Sequence, residues 1–88
     1  MRLVVVMREK RDYSREVYMW LGDWDRRNPG LQPEIIDPDS RDGVGFITAY
    51  DLLEFPAVIV LRDDGSVVHM WKGTPMPGLD EVRGHLVR

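Results

Sequence analysis

Pro56 stands directly before five apolar residues, Ala57-Val58-Ile59-Val60-Leu61. It directly follows Ile47-Thr48-Ala49-Tyr50-Asp51-Leu52-Leu53-Glu54-Phe55, which reads as the end of a helix and a short turn. Proline has no backbone N–H, so it is tolerated at the first residue of a strand but not inside the hydrogen-bond ladder. The apolar, largely β-branched run after it therefore reads as a strand over residues 57–61. Asp63-Asp64-Gly65 is a hairpin signal, and Val67-Val68-His69-Met70-Trp71 supplies the next strand. These two strands are expected to pair antiparallel.

The N-terminal half alternates strands with helices. Leu3-Val4-Val5-Val6-Met7 is an unbroken apolar run, as expected of a central strand covered on both faces. After the charged loop Arg8-Glu9-Lys10-Arg11-Asp12, a first helix is predicted over residues 14–27. There Val17, Trp20, Leu21 and Trp24 fall at i, i+3, i+4 and i+7 and form one apolar stripe. Asp12 or Ser14 is expected to cap its start, Arg26 and Arg27 complement the dipole at its end, and Asn28-Pro29-Gly30 stops it. Glu34-Ile35-Ile36-Asp37 reads as a short second strand. A second helix, starting at Ser40 or Asp42, carries Val44, Ile47 and Tyr50 to Leu52, with Gly43 and Gly45 weakening its first turn. A third helix starts near Pro77 and buries Leu79, Val82 and Leu86, with Asp80 and Glu81 early and Arg83, His85 and Arg88 late.

The order is βαβαββα, an α/β arrangement in which a four-stranded mixed sheet is flanked by three helices in a single domain, residues 1–88. Strands one and two, separated by a helix, are expected to be parallel with a right-handed crossover. Helices one and three should cover one face of the sheet and helix two the other.

Composition narrows the chemistry. Eighty-eight residues suffice for one core without disulfides or metals. A net charge of −3 does not favour nucleic acid or an anionic membrane, and no apolar run approaches the ~20 residues of a membrane span. Residues 3–7 are too few for a signal-peptide core, so a cytoplasmic location is expected. There is no cysteine, which removes disulfides, thiolate metal sites and thiol catalysis together. Asp37, Asp39 and Asp42 lack the fuller oxygen set and glycine of a calcium loop, and His69 and His85 lack companion ligands for zinc. No metal or other cofactor is expected.

The run Tyr50-x-Leu52-x-x-Phe55-Pro56, five apolar residues, a charged turn with Gly65 and then Gly73 resembles the C-terminal half of the thioredoxin-like fold. Asp37-Pro38-Asp39 is similar to the Asp-rich end of the preceding family strand, and the turn at Gly65 is one residue longer than in ordinary thioredoxins. The resemblance spans residues 3–86 and implies a glutaredoxin-sized core with Phe55–Pro56 cis in the substrate-facing loop. It places Arg11-Asp12-Tyr13-Ser14 where thioredoxins carry Cys-x-x-Cys, Arg11 at the first cysteine's position and Ser14 at the second's. Val5 stands where the family keeps a buried strand carboxylate. The resemblance thus implies that the redox machinery is gone and that no catalytic residue replaces it.

Three candidate sites follow. A binding edge for an extended peptide would comprise Arg11, Asp12, Tyr13, Ser14, Phe55 and Pro56. Arg8, Lys10, Arg11 and Arg15 around the start of helix one would form an anion site, although Glu9, Asp12 and Glu16 largely cancel its field. Met70, Trp71 and Met76 on the outer hairpin would form an interface, since aromatics and Met are enriched in interface cores. The expected function is a redox-inactive binding or assembly module for a protein or peptide partner, a homodimer included. The competing reading, by similarity to glutathione transferase-like relatives, is a thiol-cofactor-dependent transferase using Ser14 or Tyr13. Its relatives' Glu/Gln-Ser pair is missing, because the hairpin leads into Trp71-Lys72-Gly73-Thr74.

Overall fold

The two segments without a polar side chain in their interior occupy the centre of the sheet. In the computed structural model, which describes residues 1–86, the elements are β1 (Arg2–Val6), α1 (Ser14–Arg27), β2 (Glu34–Ile36), α2 (Arg41–Ala49), β3 (Ala57–Leu61), β4 (Val67–Lys72) and α3 (Leu79–Leu86). The strand order is β2-β1-β3-β4. Every residue of β3 is buried, as is every residue of β1 after Arg2. Pairing is parallel between β1 and β2 and antiparallel for the other two neighbours, with Val5 opposite both Ile35 and Val58. The β3–β4 hairpin carries a register shift between Val60 and Leu61.

The period-two alternation of β1 and β3 divides the core into two layers. On one face Leu3, Val5, Met7, Val58 and Val60 pack under Val17, Trp20 and Trp24 of α1 and Val82 of α3. On the other, Val4, Val6, Ala57, Ile59 and Leu61 pack with Leu52 under Phe46 and Ile47 of α2. Helices α1 and α3 thus share one face and α2 takes the other, as the sequence predicts. The two indoles of α1 stack 5.4 Å apart and each donates its Nε1–H to a loop carbonyl, Trp20 to Pro77 and Trp24 to Leu31, both at 2.7 Å. Large aromatic area and a satisfied N–H together fix the chain on either side of the helix.

Several element ends differ from expectation for local reasons. Strand β2 stops at Ile36 because Asp37 turns the chain: its carbonyl accepts from the Ser40 N–H and hydroxyl, and its side chain accepts from Asp39 N–H. Neither Asp12 nor Ser14 caps α1, whose N-cap position is Tyr13 without a side-chain hydrogen bond. Ser40 does cap α2, accepting from Gly43 N–H at 3.0 Å. Gly43, read from sequence as a weak point, is required there: a Cβ would lie 1.8 Å from the Asp37 carbonyl oxygen. Helix α2 ends at Ala49, before Tyr50. Leu52 N–H reaches back to Ile47 O and Asp51 N–H to Thr48 O, with Asp51 at φ 55°. That is a Schellman ending, with Leu52 and Ile47 meeting in the core. Helix α3 starts at Leu79, two residues beyond Pro77, and Arg88 lies outside the described residues.

Candidate functional site

The 8–14 loop leaves the carboxyl end of β1, and the 37–40 turn leaves the carboxyl end of the parallel strand β2. In open α/β sheets ligands bind outside the carboxyl ends of such strands. Arg8 ties this region together. Its Nε and Nη2 donate to Asp39 Oδ2 and Oδ1 at 2.9 and 3.1 Å, and its guanidinium lies 4.8 Å from the centroid of the Phe55 ring. One side chain therefore joins the loops that precede α1, α2 and β3. Both partners are solvated, so the pair's role is positional rather than energetic. The Arg8 hydrogen bonds hold the Asp39 carboxyl below its usual range, and the charges of Arg8 and Arg11 add to this.

The hydroxyls of the 8–14 loop turn inward. Tyr13 accepts from Arg8 N–H at 3.0 Å. Ser14, only 7% exposed, accepts from Arg11 N–H at 2.9 Å and donates to Arg8 O at 3.0 Å. These bonds close a tight loop in which Lys10 has φ 58°. Arg11 and Asp12 remain on the outside. Val5 is fully buried, so an apolar side chain fills its position beneath the loop.

Phe55, in the 53–56 segment, meets this loop at Arg8. The Phe55–Pro56 bond is cis, as is Thr74–Pro75. Pro56 is buried, and its carbonyl accepts from Gly73 N–H at 2.8 Å. Gly73 sits at φ 78°, a conformation that side-chain-bearing residues rarely adopt. Among the described residues no hydrogen bond takes up the Phe55 N–H or carbonyl, and Leu53 is 83% exposed. Arg11 to Ser14 and Phe55 to Pro56 thus belong to two loops that Arg8 bridges.

Of the four basic residues around the start of α1, Arg8 is engaged by Asp39 and Arg15 lies among Asp12 and Glu16. The three interface candidates are divided between the two faces of the sheet. Met70 packs on the α2 face, whereas Trp71 and Met76 pack on the α1/α3 face. Alternation along β4 separates Met70 from its neighbour. Trp71 is partly buried, donating to Glu81 Oε2 at 3.0 Å beside a stacked His69–His85 pair with centroids 4.6 Å apart. Among the described residues no group of three or more metal-ligating side chains assembles. Sequence reading missed the Arg8–Asp39 link, for which two separated charges give no signal. It also missed Leu53, whose signal is an apolar residue off any buried stripe.

Neither a protein-family model nor a curated protein matches the chain. Among solved structures it matches thioredoxin 1 of Thermosipho africanus TCF52B, with a TM-score of 0.68 over 98% of this chain and 90% of that one, at 14% identity. The fold is thioredoxin-like. The chain is a cysteine-free example of it, with an apolar Val5 and a Ser14-closed loop at the positions discussed above.

Proposed function

We propose that this chain is a redox-inactive, cytoplasmic binding module that receives an extended protein or peptide segment between the 8–14 loop and residues 53–56. The observation that carries the reading is the unengaged backbone of Phe55 beside the exposed Leu53 side chain. An edge with a free N–H and C=O offers main-chain pairing, and an adjoining apolar side chain offers selectivity. Redox inactivity follows from chemistry: thiol–disulfide exchange requires attack by a thiolate, and the chain has no cysteine. The transferase alternative loses support because the Ser14 and Tyr13 hydroxyls are already bonded within their own loop. No observation favours it.

The test is selection of peptides from a displayed random library, followed by amide chemical-shift mapping with the best binder. Perturbations centred on Arg11 to Ser14 and Leu53 to Phe55, lost in Leu53→Asp, are the expected result. Failure to enrich any sequence, or shifts confined elsewhere, would overturn the reading. Titration with glutathione is expected to leave the Ser14 and Tyr13 resonances unmoved.

A further inference from the structure

Arg8 is engaged through its backbone on one side of the peptide edge and through its side chain on the other. Its N–H donates to the Tyr13 hydroxyl and its carbonyl accepts from the Ser14 hydroxyl, both at 3.0 Å, which fixes it within the 8–14 loop. Its guanidinium holds the Asp39 carboxylate by two hydrogen bonds and lies 4.8 Å from the centroid of the Phe55 ring. Two bonds from one planar fork set the plane of the guanidinium, so its place against that ring is determined from the 37–40 turn. Phe55 also packs against the core layer of Val4, Val6 and Leu52. The ring is thus held by core and cation together. The Phe55 N–H and carbonyl, by contrast, have no hydrogen-bond partner among the described residues.

We infer that Arg8 is a positioning residue of the peptide edge, orienting the Phe55 backbone for main-chain pairing, and that Asp39 controls the edge through it. This rests on the peptide reading above and names how that same site is regulated. The physical basis is preorganisation: a loop that must be ordered on binding subtracts its ordering cost from the affinity, and a ring already clamped has that cost removed beforehand. A solvated ion pair contributes little to folding, so its loss is expected to appear in binding rather than in stability. The charged groups facing the pair are Arg11 from the 8–14 loop and Asp37 from the turn itself. The hydrogen bonds from Arg8, with the charges of Arg8 and Arg11, hold the Asp39 carboxyl below its ordinary range. The clamp is therefore whole at neutral pH and opens in acid, as pH falls through that lowered value.

The test compares the full chain with Arg8→Met, which keeps an aliphatic stem without the charge, and with Asp39→Asn. In the free protein both substitutions are expected to shift the Phe55 ring and the Leu53 to Phe55 amide resonances while the melting temperature changes little. Affinity for a capped, uncharged peptide selected from the displayed library should weaken about threefold to tenfold in each variant. In the unsubstituted chain that affinity should fall below the usual carboxylate range of pH, and in Asp39→Asn it should stay level there. Unmoved Phe55 resonances in both variants, unaltered peptide affinity, or a loss of affinity matched by a loss of melting temperature would each overturn the inference. A library that enriches no sequence would instead sink the peptide reading, and the Phe55 resonances of the free variants would still decide whether Arg8 positions that backbone.

Discussion

Arg8 and Asp39 form a pair whose consequence is positional, and pH exposes it. The folded-state carboxyl of Asp39 titrates below its ordinary value because Arg8 hydrogen-bonds to the charged form. A depressed carboxylate contributes stability that is present above the unfolded value, ~3.9 for Asp, and lost as pH falls through the folded one. The link between the three loops is therefore expected to be whole at neutral pH and to release in acid. An NMR titration following the Arg8 side chain and the Phe55 ring should show a transition below the usual carboxylate range. In Asp39→Asn it should vanish, with the Phe55 environment altered at every pH. Glu34, whose carboxyl is lowered by its hydrogen bonds to Arg2, should follow the same sign at the other end of β1.

Among the elements, α2 holds the sharpest contrast, because its two glycines look alike in sequence and differ in space. A Cβ at Gly43 would strike backbone at Asp37, whereas nothing lies within 4 Å of one at Gly45. Gly43→Ala is expected to destabilise by about 1–3 kcal/mol or more, because the helix must back away from the turn that caps it. Gly45→Ala should stabilise by about 0.5–1 kcal/mol through helix propensity alone. Urea denaturation of the pair checks both signs, and a parallel loss in the two would refute the contact. At the far end of the same helix Asp51 holds φ 55° in the Schellman position. Asp51→Gly should raise stability by about 0.5–1 kcal/mol, since glycine adopts that conformation without steric cost. A drop in melting temperature would mean that the Asp51 side chain supplies something beyond backbone geometry.

For the molecule as a whole, insulin reduction is expected to stay at the dithiol background, because no thiolate exists to attack a disulfide. Measured turnover above that background would contradict it. The architecture was legible in residue order because each determinant is local. An apolar run marks each central strand, a 3.6-residue stripe of Val17, Trp20 and Trp24 marks α1, and Pro56 and Asp63-Asp64-Gly65 mark where β3 and its hairpin begin and turn. Those signals lie within a few residues of what they specify, so bounds such as 14–27 and 57–61 could be read directly. Of the candidate site, the pairing of the Ser14 loop with the Phe55–Pro56 segment came from family resemblance, and its physical tie did not. Arg8 and Asp39 are 31 residues apart, and only the crossover that sets β2 beside β1 brings them within hydrogen-bond reach. The same holds for Glu16 and Met76, which are joined by a hydrogen bond across 60 residues of chain. Met70 and Trp71 show the converse: neighbours in sequence, they are sent to opposite faces by strand alternation. Local stereochemistry thus determined which elements form and where they stop. Which side chains meet, and hence what surface exists to bind anything, was decided only when the sheet assembled, because those contacts depend on strand order and face rather than on distance along the chain.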